Sequence, residues 1–261
     1  TFDIRSPFLF DVLQCASFCN GHLQPPETGI GLAASKPSIP HWNPDKTAFL
    51  SRYNCLTKTF ISYDYISNMN SEILLIGPIG SGKSTIAELL YQRTMLQHRS
   101  MDLLRWHYFD EIGYDRGIAR EKFVQDGFWG LYRYWKPFEA HAVKRMLEDF
   151  SECIFDFGGS QTVYEDEALF EQVRGLFAPY PHVILLLPSP DPDESIHILH
   201  AHNSYASEDQ WAVNEHFIRH HSNYDLAKYI AYTKDKTPEQ TCDEVLGWAR
   251  SNGWTYEPQK P

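Results

Sequence analysis

The sequence predicts an α/β domain in three layers: a mainly parallel five-stranded sheet with helices on both faces, behind an irregular N-terminal extension. Three observations predict it. From Met69 onward, short apolar runs alternate with helix-patterned segments, which is the order of βαβ units. Between the first run and the first helix lies Gly77-Pro78-Ile79-Gly80-Ser81-Gly82-Lys83-Ser84, a G-x-x-x-x-G-K-S loop. Ahead of Met69, residues 21–48 hold Pro25, Pro26, Pro37, Pro40 and Pro44 among scattered Gly and Ser, the composition of linker or irregular coil.

The elements follow in order. Residues 72–76 are apolar and suit a buried first strand. Residues 83–98 open a helix with Ile86, Ala87, Leu89 and Leu90 at helical spacing. The aromatic run 105–109 (RWHYF) reads as the second strand, 152–157 (ECIFDF) as the third, 182–187 (HVILLL) as the fourth and 229–233 (YIAYT) as the fifth. Further helices are expected at 117–126, 128–149, 165–176, 193–202 and 238–250. The last has the best-marked start: Thr237-Pro238-Glu239-Gln240 supplies an N-cap threonine, proline at the first helical position and Gln at N3. The first strand begins three residues after Met69, so the division falls at an extension of residues 1–68, expected to be poorly ordered, and a domain of residues 69–261.

Composition narrows the partners. A formal net charge of −11 leaves no basic excess to neutralise a nucleic-acid backbone. No apolar run approaches the ~20 residues that span a bilayer. Five scattered cysteines with no C-x-x-C pair suggest neither a disulfide framework nor a zinc centre, and fit a reducing, cytoplasmic setting. The histidines show no convincing ligand spacing in sequence.

The loop carries the chemistry. Glycines let its backbone curl so that N–H groups surround phosphate oxygens, and the following helix N-terminus adds positive dipole. Gly77, Pro78, Ile79, Gly80, Ser81, Gly82, Lys83, Ser84 and Thr85 are therefore the expected nucleoside-triphosphate site. Lys83 would reach the β- and γ-phosphates, with the Ser84 hydroxyl on Mg²⁺. Ligands of parallel sheets sit beyond the carboxyl ends of strands. That rule directs attention to Asp110, to Gly158-Gly159-Ser160 and to the segment after Thr233. Asp110 is the expected base or orienter for an acceptor hydroxyl and a water-mediated partner of Mg²⁺. Asp156, inside an apolar strand, is a second carboxylate whose burial needs a reason.

From Met69 to Arg250 the arrangement resembles shikimate kinases and related small-molecule kinases. The phosphate loop matches throughout. Trp135-Lys136-Pro137-Phe138-Glu139 is similar to the family's F-R-x-x-E helix, with Lys136 in place of Arg. Phe157-Gly158-Gly159-Ser160 resembles its glycine-rich turn, and Arg219, eight residues before Ala227, resembles its later acceptor-side arginine. The resemblance implies a three-layer P-loop kinase fold, ATP with Mg²⁺, and transfer of the γ-phosphoryl group to a hydroxyl of an anionic small molecule. Lys136, Gly158, Gly159 and Arg219 would hold that acceptor. Ile112 stands where the family's second strand has its second Asp. From Ser195 to Ile218 there is no Arg or Lys where the family's lid carries arginines. Two alternatives stand beside this reading: a kinase for another hydroxylated or nucleotide substrate, and a nucleotide-binding regulatory protein that has lost transfer.

Overall fold

The computed structural model describes residues 70–202 and 207–256. The expectations for residues 1–68, and for a boundary at Met69, lie outside the described residues.

Five strands form one sheet: β1 (Ile73–Ile76), β2 (Gln97–Ser100), β3 (Cys153–Asp156), β4 (Val183–Leu187) and β5 (Tyr229–Tyr232). Their order is β2-β3-β1-β4-β5 and every pairing is parallel. The alternation of side chains along a strand then divides the core in two. Ile73 and Leu75 of β1 pack with Ile86, Ala87 and Leu90 of helix α1 (Lys83–Thr94) and with Val245 and Ala249 of helix α8 (Pro238–Ser251). Leu74 and Ile76 face the opposite layer. There they meet α2 (Met101–Glu111), α3 (Arg116–Asp149) and α4 (Glu167–Phe177). Burial on both faces is why β1, β3 and β4 read as continuous apolar runs.

The second strand is the one misplaced element. Residues 105–109 lie inside α2, and the strand is Gln97-His98-Arg99-Ser100. Its four residues are polar and half-buried to exposed because β2 is a sheet edge, so no apolar run marks it. The aromatics of 105–109 have β propensity, but Met101, Arg105, Tyr108 and Phe109 are buried at helical spacing, and packing against α3 decides the matter. The expected helix 83–98 ends at Thr94, where Met95 caps it in the left-handed region (φ 61°).

Other elements stand near their expected places. The expected break between helices at residue 127 is present: Asp126 and Gly127 leave helical geometry inside α3 (φ 58°, ψ −151° at Gly127). Thr237 and Gln240 form the reciprocal capping box that opens α8, with Pro238 in the first turn. After α5 (Pro192–His202), the structure adds α6 (Glu208–Arg219) and the short α7 (His221–Leu226), which the sequence reading passed over. Among the described residues no helix is long and apolar enough to cross a membrane.

Candidate functional site

β1 delivers the chain into the G-x-x-x-x-G-K-S loop, and α1 leaves it. Gly77, Gly80 and Gly82 have φ of 137°, 82° and 93°, a region that side chains with a Cβ rarely enter. At Gly77 there is also no room, since a Cβ would stand 2.5 Å from the Leu186 carbonyl oxygen of β4. The loop thus wraps over the sheet's carboxyl edge, and the first N–H groups of α1 are left without intrahelical partners. No acidic residue occupies the first turn of α1 to compete for them.

Lys83 is buried at 8% exposure, and its ammonium donates to the carbonyls of Gly77 (2.9 Å) and Pro78 (2.8 Å). Burial lowers its pKa, while the carboxylates of Asp156 and Asp102 oppose that shift. Ser84 donates its hydroxyl to Asp156 Oδ2 at 2.7 Å. Asp156 ends β3, the strand beside β1, which explains a carboxylate inside Ile154-Phe155-Asp156-Phe157. His98 Nε2 of β2 lies 3.5 Å from the same Asp156 oxygen. Ser81 Oγ is buried in the loop with no hydrogen-bond partner. Outward-facing glycine backbone, an ammonium, a serine–aspartate pair and an orphaned hydroxyl together fit a polyphosphate with a divalent cation.

Asp110 is elsewhere. It sits exposed in the last turn of α2, where its carbonyl accepts from Gly113 N–H. The expectation that it terminates a strand at the ligand edge is corrected, because it rested on reading α2 as β2. The carboxylate that follows the real β2 is Asp102, two residues past Ser100. Its Oδ1 would stand 2.8 Å from a Cβ at Gly158, and the Gln161 amide donates to it at 3.4 Å. Arg105 Nη1 is 3.8 Å from Asp102 Oδ1. The Arg105 guanidinium stacks on Trp106 (4.6 Å) and Trp135 (5.2 Å). Sequence reasoning missed Asp102 for the same reason that it favoured Asp110. The signal was there in Ser100-Met101-Asp102, once the polar run before it is recognised as an edge strand.

Gly158 and Gly159 do reach this edge. A Cβ on Gly159 would come within 2.9 Å of Ile79 N, so the turn after β3 fits directly against the phosphate loop. The loop's tip is clasped from a third side by α6. Asn214 accepts from Ile79 N–H (2.8 Å) and donates to Ile79 O (3.1 Å), as a neighbouring strand would.

Lys136 and Arg219, expected to share an anion, are both engaged by the protein. Lys136 is 5% exposed; its ammonium donates to Ser160 O (2.7 Å) and Val163 O (2.9 Å) and forms an ion pair with Glu139 Oε2 (2.5 Å). Its Nζ also stands 4.1 Å from the Tyr132 ring centroid. Burial lowers its pKa, against the neighbouring Glu139 carboxylate. Two of its N–H groups thus hold carbonyls of the 160–163 turn, and its charge is paired with Glu139. Arg219 is half-exposed on α6 and pairs with Asp193 at the start of α5. This is a surface ion pair between two helices, and none of the partners of Lys136 takes part in it.

Comparison with solved structures follows this geometry. A shikimate kinase from Acinetobacter baumannii, solved with shikimate, matches with a TM-score of 0.50 at 14% identity, over 70% of this chain and 95% of that one. The chain has the shikimate kinase fold. A shikimate kinase from Aquifex aeolicus matches at TM-score 0.46 and 17% identity, covering 69% of this chain and 97% of that one. A gluconokinase from Sinorhizobium meliloti matches at 0.42 and 12%, covering 69% and 91%. No protein-family model matches the sequence, and a search of curated proteins finds no match.

Proposed function

We propose that this chain is an ATP- and Mg²⁺-dependent small-molecule kinase that transfers the γ-phosphoryl group to a hydroxyl of its acceptor. The observation that carries the reading is the convergence, at one sheet edge, of Lys83, the Ser84–Asp156 pair and Asp102 around a glycine loop.

Phosphoryl transfer needs positioning and charge stabilisation more than covalent chemistry. The loop amides and Lys83 bind and orient the β- and γ-phosphates, which requires Lys83 to exchange the Gly77 and Pro78 carbonyls for phosphate oxygens. Ser84 and Asp156 would hold Mg²⁺, which supplies charge neutralisation of the phosphates when bound. Asp102, across the Gly158 turn from the loop, orients the acceptor hydroxyl and accepts its proton. Arg105 beside it supplies positive charge on the acceptor side. Gly158 and Gly159 give the acceptor close approach to backbone.

The experiment is calorimetry with Mg²⁺-ATP, followed by an ADP-release assay over a panel of hydroxylated acceptors. ATP binding with acceptor-dependent turnover is expected. Lys83→Ala should cut turnover by roughly 10²–10³-fold, because its charge is most useful in the transition state. Absence of nucleotide binding ends the reading. A second reading rests on the stretch from Ser195 to Ile218, which has no Arg or Lys to cover the transferring group. Tight ATP binding with no turnover on any acceptor favours a nucleotide-binding regulator instead.

A further inference from the structure

Three side chains outside the phosphate site converge where α6 ends. His216 is in the last turn of α6 and His220 is its C-cap, four residues on. That spacing stacks two side chains on one helix face. Glu165, in the loop before α4, meets them. One ring nitrogen from each histidine and one Glu165 oxygen all lie within 4.8 Å of one another. His216 Nε2–H donates to Glu165 Oε1 at 2.6 Å.

We propose that Glu165, His216 and His220 form a site for a first-row transition ion of the zinc class, which ties α6 to the loop between β3 and α4. The proposal stands apart from the kinase reading and does not depend on it.

The donor set selects the ion. Two imidazoles and one carboxylate suit Zn²⁺ and its neighbours, whereas Ca²⁺ and Mg²⁺ seek more oxygen. With bonds of about 2.05 Å, a tetrahedral shell sets its donors about 3.3 Å apart, so the 2.6 Å His216–Glu165 pair opens on binding while His220, within 4.8 Å of both, draws in. The charge also suits a cation. The nearby Lys136 ammonium is already matched by Glu139 at 2.5 Å, so Glu165 supplies a net negative charge.

The donors are held from behind, as metal ligands are. Tyr132 donates its hydroxyl to Glu165 Oε1 at 2.7 Å. The Trp129 ring packs edge-on against His216 (5.4 Å between centroids), and His221 stacks on His220 (4.5 Å). A cavity of about 730 Å³, lined in part by Glu165, His216 and Trp129, leaves room for water as a fourth ligand. On binding, the hydrogen that His216 Nε2 gives to Glu165 moves through solvent to Nδ1, and Nε2 is freed for the ion. One bond opposes the event. His220 Nδ1 accepts from Ser222 N–H at 3.2 Å, and ligation through either nitrogen of that ring breaks this cap. Micromolar rather than nanomolar affinity is therefore expected.

The consequence is mechanical. Asn214, two residues before His216, clasps Ile79 of the phosphate loop. An ion at Glu165 would fasten the same helix to the turn that follows Gly158-Gly159.

The test titrates the chelator-treated full chain with Zn²⁺ by calorimetry, beside His216→Ala/His220→Ala and Glu165→Gln. Expected are a 1:1 site in the parent chain, a raised melting temperature, and affinity weakened roughly 100-fold or more in the double variant. X-ray absorption of the zinc-loaded parent chain serves as a second readout, in case the double variant fails to fold. A first shell of nitrogen and oxygen supports the site. Sulfur in that shell, no zinc binding, or unchanged affinity in any folded variant overturns it.

Discussion

Replacing Lys136 with methionine separates two roles for a buried cation. Lys136 Nζ donates to Ser160 O and Val163 O and forms an ion pair with Glu139 Oε2. Methionine fills similar volume and removes the charge. Glu139, at 0% exposure, then keeps a buried carboxylate without its counter-ion, and two turn carbonyls lose their donor. Breaking a buried pair on one side costs about 3–5 kcal/mol. For a domain of this size each kcal/mol moves the melting temperature by roughly 2–4 °C, so the expected fall is roughly 6–20 °C. Lys136→Met/Glu139→Leu removes both charges and should recover much of that loss, since apolar replacement of a buried pair is often neutral. Thermal unfolding of the parent chain, Lys136→Met, Glu139→Leu and the double variant closes the double-mutant cycle. The same proteins go into the acceptor assay. A Lys136→Met protein that melts within about 2 °C of the parent, while its acceptor KM rises steeply, refutes the structural role and restores Lys136 as an acceptor anchor.

Two further outcomes follow from the site. Asp102→Asn should lower kcat by roughly 10²–10⁴-fold with ATP affinity nearly unchanged, while Asp110→Asn, exposed on α2, should leave both intact; the reverse pattern in steady-state kinetics would reinstate Asp110. Asn214→Ala removes two hydrogen bonds that hold Ile79, so stability should fall by about 1–3 kcal/mol in denaturant unfolding and calorimetry should show weaker nucleotide binding; unchanged values in both would mean that the clasp is incidental.

What the sequence disclosed and what it hid divide along a physical line. Buried parallel strands announce themselves, because both faces must be apolar; β1, β3 and β4 were legible for that reason. The phosphate loop was legible because its chemistry is contiguous: glycines that must adopt positive φ, then a lysine and a serine at fixed offsets. The capping box at Thr237 is equally local. The edge strand β2 was hidden because one side of it faces solvent and its residues are polar. That single misreading put a strand end at Asp110, inside α2, instead of at Ser100, ahead of Asp102.

The surroundings of Lys136, Arg219 and the histidines were hidden for another reason. Whether Lys136 is a ligand anchor or a buried strut depends on Glu139, one turn away, and on carbonyls at 160 and 163. Residue type and spacing fix neither the direction of the side chain nor the number of its protein acceptors. Arg219 likewise meets Asp193, 26 positions earlier, only after two helices have packed. His216 and His220 stand four residues apart, a spacing that names no ligand set by itself, and Glu165, 51 residues from His216, joins them through the fold alone. A motif closed over eight residues can be read directly. Sites assembled from three segments need the packing that brings them together, and here one helix, α6, does much of that work. Its Asn214 reaches the phosphate loop, and its His216 reaches the loop after β3. A change in how α6 seats must therefore be felt at both places, which is why the asparagine and the histidine pair are worth altering in the same series.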